Sequence, residues 1–315
     1  MPLDWFPDSP PERTNSWREF SLDHDAGVCA PLLNLDRWLP WLQRLPGLLN
    51  SSPTAEIHHL KLLSTGRRTF QVTGADGRMV VVKCYPGTAL TRLPLPEGGE
   101  GGNHAWDGFR CNWELWHREQ PVPEPLLFLE RRPGPDSSTC YSITRLLEGC
   151  HPLADFAFEH LRRRRSPRRL LDQWSETVVA SVVRLHRTGY AHGDLHHQNL
   201  LVNCEASGRG FKVFFIDFDA CKLETGIAPH AGHLLDLATL GASVHQLVPE
   251  AMLARGLARY FHEFRLQQTR REDCLRIIKQ NYCRVLDRYQ ASFDRVEDHC
   301  FATATNTLAS GPGLP

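Results

Sequence analysis

The chain has 315 residues, with 36 Lys plus Arg balanced by 36 Asp plus Glu, and is 41% hydrophobic and 23% charged. That is an ordinary globular composition, long enough for one large domain or two lobes sharing a cleft, and it excludes collagen-like, coiled-coil and globally disordered classes. Zero net charge argues against general polyanion binding, so no nucleic-acid partner is expected. No run of about 18 apolar residues occurs, so no transmembrane helix is expected. The opening MPLDWFPDSPPERTNSW lacks a basic stretch followed by an apolar one and does not read as a secretory signal. Ten cysteines are scattered without a C-x-x-C pair. Reduced thiols in a cytoplasmic protein are expected, with neither a disulfide framework nor a zinc site.

Residues 1–55 are rich in Pro and Trp and read as an accessory segment. Within it LDRWLPWLQRL has helical spacing but is interrupted by Pro40. Residues 56–149 read as a small antiparallel β lobe with one helix. IHHLKLL (57–63), TFQVT (69–73) and RMVVVKCY (78–85) are strand-like, and Gly74-Ala75-Asp76-Gly77 is a hairpin turn. Residues 86–104 read as loop, a helix is expected within 105–119, and CYSITRLLEG (140–149) as a further strand.

Residues 150–308 read as a mainly helical lobe, and 309–315 as a flexible tail. LRRRRSPRR (161–169) is a solvated stretch or a contact with an anionic lipid or substrate. Leu171, Trp174, Val178, Val182 and Leu185 recur at three- and four-residue steps, which predicts an amphipathic helix over 170–189 capped by Gly189. NLLVN (199–203) and KVFFIDF (212–218) are strand-like, and 230–305 is mostly helical.

The chemistry concentrates in YAHGDLHHQNLLVN (190–203) and KVFFIDFDA (212–220). Asp194 and Asn199 are five apart, and Asp217 ends the apolar run VFFI. Oxygen ligands at strand ends suit Mg²⁺, a hard cation. Lys83 sits inside an apolar strand, where an ammonium needs a charge partner or a route to water.

These parts resemble the protein-kinase-like fold, in which a strand lysine, H-R-D-x-x-x-x-N and D-F-G occur in this order. Here they read Lys83, His192-Gly193-Asp194 with Asn199, and Asp217-Phe218-Asp219. The resemblance implies an α+β, bilobal protein-kinase-like fold with a small antiparallel β N-lobe and a mainly helical C-lobe. It implies an ATP-dependent phosphotransferase with an alcohol acceptor. Asp194 would be catalytic, orienting the attacking hydroxyl and accepting its proton. Lys83 would hold the nucleotide phosphates, and Asn199 and Asp217 would bind Mg²⁺. Glu114, with Glu119 second, would be the helix partner of Lys83. Gly66 with Arg67 or Arg68 in STGRRTF would cover the phosphates, a plain exposed turn being the alternative. His192 reads as a packing residue, Asp236 as a helix carboxylate tying the catalytic loop down, and Asp219 as either a metal or substrate contact or the cap of the next turn.

Gly193 replaces the arginine of H-R-D, and only 18 residues separate Asp217 from Asp236, with no A-P-E between them. This is the style of small-molecule kinases such as aminoglycoside and choline phosphotransferases. PVPEPL with FLERR, RLHRTGYAHGDLHHQNLLV and IDFDACKL further resemble the lipopolysaccharide kinase family, which phosphorylates heptose or Kdo sugars of the inner core. That resemblance implies a glycolipid or sugar substrate and a peripheral contact with the inner membrane surface. The alternatives are a soluble small-molecule kinase, an atypical serine/threonine protein kinase, or a nucleotide-binding pseudokinase.

Overall fold

The computed structural model describes residues 17–22, 25–50, 61–64, 69–87, 104–134, 137–163, 167–204, 210–224 and 229–286. They fall into two compact units. One comprises 1–149 with 216–221, the other 150–215 with 222–315.

The first unit is built on a seven-stranded antiparallel sheet. Its elements are β1 (Arg18–Leu22), β2 (Asp25–Cys29), α1 (Leu35–Asn50), β3 (Lys61–Ser64), β4 (Thr69–Thr73), β5 (Met79–Pro86), α2 (His104–His117), β6 (Pro125–Gly134) and β7 (Ser137–Arg145). The strands lie in the order β1-β2-β6-β7-β5-β4-β3. Strand alternation divides the core into two layers. Leu127 and Leu129 pack with Val80, Val82 and Ile143 against Trp38, Trp41, Leu42 and Leu45 of α1. Phe128, between them, packs with Val28 and Cys140 against Trp106, Phe109 and Trp113 of α2. A helix therefore covers each face of the sheet.

Two sequence expectations change here. Residues 18–29, read as accessory, supply two strands of the sheet, with β2 paired to β6 from Ala26↔Glu130 to Cys29↔Leu127. Helix α1 runs through both Pro40 and Pro46. A mid-helix proline costs about 3 kcal/mol, but four large side chains of α1 are buried, each contributing roughly 1.5–3 kcal/mol. Burial outweighs the lost hydrogen bonds.

The second unit contains β8 (His151–Pro152), α3 (Leu153–Ala157) continuing as a π-helical turn over Phe158–Arg163, α4 (Arg168–Arg187), β9 (Tyr190–Ala191), β10 (Leu200–Cys204), β11 (Phe211–Phe215), β12 (Lys222–Leu223), α5 (Ala231–Ser243) and α6 (Glu250–Glu263). Residues 268–286 are also helical. The helix predicted over 170–189 is α4, which buries Trp174, Val182, Val183, Leu185 and His186 and places Arg184, His186 and Arg187 in its last turn, complementing the helix dipole. Strands β11, β10 and β8 form one small sheet, β12 and β9 another. Among the described residues no helix is long and apolar enough to cross a membrane.

Cysteine chemistry also departs from expectation. Cys111 of α2 and Cys221 form a disulfide, with Cα atoms 6.7 Å apart. The two lie 110 residues apart in the chain, so spacing gave no sign of the pair. Cys29, Cys84, Cys140 and Cys274 are buried and not disulfide-bonded, as expected of small apolar side chains.

Candidate active site

The β-rich unit gathers one cluster of charge. Lys83 and Tyr85 are two apart on β5, so both project to the sheet face that α2 covers. The Lys83 ammonium donates to Asp217 Oδ1 at 2.7 Å and to both oxygens of Asp219 at 3.1 Å. The Tyr85 hydroxyl donates to Asp219 Oδ1 at 2.9 Å. All three charged side chains are mostly buried, at 16–19% exposure, which strengthens their attraction relative to a surface pair. Two carboxylates thus share one ammonium. Asp217 itself has φ 68°, a left-handed conformation that an Asp tolerates better than most residues and that recurs at functional sites.

The helix glutamate expected to pair with Lys83 is not among the ammonium's partners. Glu114 lies on α2, and Glu119 lies beyond its end. The turn of α2 that meets the Asp217–Asp219 segment is an earlier one. A Cβ at Gly108 would lie 2.8 Å from Asp219 Oδ1, so a side chain there would force Asp219 to shift. Cys111, one turn on, is joined to Cys221. At about 1.5 Å per residue, Glu114 is displaced roughly 9 Å along the helix from the Gly108 contact. Asp219 fills the place beside the lysine. The two sequence readings of Asp219, ligand or turn cap, both missed this pairing. The alternation of β5, which puts Tyr85 beside Lys83, was the available signal. Gly66 and Arg67 lie outside the described residues.

The helical unit holds the second cluster. The loop after β9 carries His192, Gly193 and Asp194, and its backbone is fixed by Asp236 of α5. Asp236 accepts from the His192 N–H at 2.6 Å and the Gly193 N–H at 2.9 Å. It also meets His186 Nε2 at 3.2 Å, and His186 Nδ1 lies 2.8 Å from the Tyr260 hydroxyl. Burial, followed by the Asp236 charge, pushes the Tyr260 pKa up, so the phenol keeps its proton and donates it to His186. The other imidazole nitrogen then donates to Asp236. Gly193 has φ 81°, which explains why glycine stands where the kinase motif has arginine.

On this clamped loop the Asp194 carboxylate is 35% exposed, whereas His192 is fully buried and structural. Asn199 donates from Nδ2 to the Asp194 carbonyl at 2.9 Å. His196 Nε2 lies 3.5 Å from Asp194 Oδ2 and 3.1 Å from Asn199 Nδ2. His197 is buried, and burial followed by the neighbouring His196 lowers its pKa to about 4, so it is neutral at physiological pH. The structure thus brings Lys83 and Asp217 together in one unit, and Asp194 and Asn199 together in the other. Among the described residues no three His, Cys, Asp or Glu side chains cluster as a metal site.

Comparison with known proteins fits this arrangement. The model of the lipopolysaccharide kinase (Kdo/WaaP) family matches residues 108–274. The chain belongs to this family. Among curated proteins, the 3-deoxy-D-manno-octulosonic acid kinase of Xanthomonas campestris pv. campestris is 34% identical over 121 residues, and that of Xanthomonas oryzae pv. oryzae 35% identical over the same length. The match covers 38% of this chain and 43% of the length of those relatives. Among solved structures, WaaP in complex with acyl carrier protein superposes with a TM-score of 0.53 at 22% identity, over 76% of this chain and 96% of that one. The α+β, protein-kinase-like fold read from the sequence is the fold found.

Proposed function

We propose that this chain is an ATP-dependent kinase that transfers the γ-phosphoryl group to a hydroxyl of the Kdo sugar in the lipopolysaccharide inner core. The observation that carries the reading is the Asp194 loop. A partly exposed carboxylate stands on a backbone clamped by the buried Asp236, with Asn199 locked to its carbonyl. Choice of Kdo over heptose follows the curated relatives, which are named for that sugar.

In this reading Asp194 orients the acceptor hydroxyl and takes its proton as the oxygen attacks. Lys83 binds the α- and β-phosphates. Phosphoryl transfer is mostly positioning and charge neutralisation, so a clamped loop is what the chemistry needs. Asn199 and Asp217 would hold Mg²⁺, which neutralises phosphate charge when bound. The donor types fit, an amide oxygen and a carboxylate being the hard oxygen ligands that Mg²⁺ prefers. ATP turnover with Kdo-bearing lipid A as acceptor tests the reading. Asp194→Ala is expected to lose roughly 10²–10⁴-fold in kcat while still binding ATP. Phosphate transfer to an aminoglycoside or protein in preference to the glycolipid would overturn the acceptor assignment.

The helical unit also carries an apolar cavity of about 190 Å³ between α4, α5 and α6, lined by Phe156, Trp174, Val178, Val182, Met252 and Leu257 among others. A cavity so lined takes an apolar chain rather than water. Since the fold neighbour is solved with acyl carrier protein, the proposed occupant is an acyl chain presented by such a carrier. Co-purification of acylated carrier with wild type, lost on filling the cavity by Gly256→Leu, is the expected result. The proposed location is the cytoplasmic face of the inner membrane, with the exposed Arg168 and Arg169 end of the basic stretch facing anionic lipid. Vesicle binding unchanged in an Arg→Glu variant of that stretch would count against the contact.

A further inference from the structure

The Lys83 cluster contains two further side chains, Tyr85, to which the motifs give no task, and Asp219, which the sequence read as a metal or substrate contact or a turn cap. We infer that Tyr85 and Asp219 form the positioning pair that aims Lys83, in place of a helix glutamate. The inference deepens the proposed function and rests on the nucleotide role given there to Lys83.

The geometry supports it at three points. First, Asp219 is bidentate on the Lys83 ammonium, at 3.1 Å from each oxygen, whereas Asp217 offers one oxygen at 2.7 Å. Asp217, the proposed Mg²⁺ ligand, has the cation to attend to, so the carboxylate left to hold the lysine is Asp219. Second, Asp219 is itself held. The Tyr85 hydroxyl donates to its Oδ1 at 2.9 Å, and a strand spacing of two keeps Tyr85 and Lys83 on one face. Lysine has a flexible four-carbon stem and loses much rotamer freedom when fixed, so a preset carboxylate partner lowers the cost of using it. Third, α2 leaves room for this arrangement. Its Gly108 has no side chain where Asp219 lies, and Cys111 bonds Cys221 two residues beyond Asp219. The helix that would carry a pairing glutamate instead backs the aspartate. Tyr85 and Asp219 are positioning residues, acting on the phosphates through Lys83.

The test is ATP binding by the full chain with Mg²⁺ present, together with kcat and KM for ATP, in wild type, Tyr85→Phe, Asp219→Asn, the double variant and Lys83→Ala. Tyr85→Phe keeps the ring and removes one hydrogen bond, so ATP affinity should fall about 3- to 10-fold, seen in KM with kcat nearly unchanged. Asp219→Asn should weaken ATP by about 10-fold or more. In the Asp219→Asn background, Tyr85→Phe should cost less than in wild type, because the tyrosine's bond to residue 219 no longer holds a carboxylate on the ammonium. Where Asp219→Asn lowers the unfolding midpoint enough to obscure binding, Tyr85→Phe alone decides. Wild-type ATP binding in Tyr85→Phe, with Asp219→Asn altering only the Mg²⁺ dependence, would make Asp219 a metal ligand and overturn the inference. Both variants binding as wild type while Lys83→Ala binds weakly would also overturn it and leave the proposed function standing. Failure of the wild type to bind ATP would overturn both.

Discussion

Replacing Asp236 by Asn isolates the device that holds the catalytic loop. The carboxylate is 1% exposed and serves three groups, the His192 and Gly193 N–H through separate oxygens and His186 through the oxygen shared with His192. An asparagine keeps one acceptor. If its oxygen faces His192 and His186, its NH₂ faces the Gly193 N–H, donor against donor. The reverse flip leaves His192 and His186 without their acceptor. The first arrangement costs the exposed Gly193 N–H its acceptor, the second strands the buried His192 and His186 donors at about 1–3 kcal/mol each, and in both the retained bonds lose their charge assistance. The total is about 2–5 kcal/mol, a large fraction of the roughly 5–15 kcal/mol that a domain holds in reserve. Urea denaturation should show a lower midpoint at unchanged slope. Turnover should fall by at least about tenfold, because in the proposed function loss of the loop clamp misplaces Asp194. An Asp236→Asn protein with wild-type midpoint and wild-type kcat would refute the reasoning.

Three further outcomes follow from the packing. His233 is fully buried, and burial, then His186 and His230, lower its pKa to about 3 against a smaller opposing effect of Asp236. Its neutral form is therefore the folded one. The associated stability is complete above the unfolded pKa near 6.5 and is lost as pH falls towards 3, by up to about 1.4 kcal/mol per pH unit, so wild type should lose more stability than His233→Phe between pH 6.5 and 4. Phe128 is fully buried, 5.3 Å from the Trp106 ring and 5.6 Å from the Phe109 ring, so Phe128→Ala should cost about 3–5 kcal/mol by chemical denaturation. The Cys111–Cys221 bridge closes a loop of 110 residues, so reduction or Cys111→Ala should lower stability by up to about 4–5 kcal/mol, and non-reduced peptide mapping should recover the linked pair.

The elements legible in the sequence are those whose information is local. Strand β5 alternates over its own length, α4 repeats at helical steps, and the Asp194-to-Asn199 spacing is a five-residue motif. What escapes depends on partners distant in the chain. Strands β1 and β2 exist because β6, about a hundred residues on, offers an edge to Ala26–Cys29. Strand β6 carries no local signal of its own, since its Leu126–Leu129 run is apolar on both faces and sits behind the prolines of PVPEP, leaving no alternation to detect. Helix α1 continues through two prolines because its tryptophans are buried, a fact about the sheet rather than the helix.

The same distinction explains the lysine. The motif identifies Lys83 and Asp217 because each is marked by its own neighbours, but the carboxylate that completes the ammonium's shell depends on which turn of α2 meets the Asp217–Asp219 segment. Gly108 and Cys111 decide that, and neither belongs to a kinase motif. A glycine on a helix is ordinarily a loss of about 1 kcal/mol, so its presence facing Asp219 marks a contact that a side chain would forbid. Gly108→Ala puts this to a sharp test. Helix propensity alone predicts a gain in stability, whereas a Cβ 2.8 Å from Asp219 Oδ1 predicts a net loss and weaker ATP binding. A stabilised Gly108→Ala protein with wild-type ATP affinity would mean that α2 does not back Asp219, and the lysine would have to be held from elsewhere.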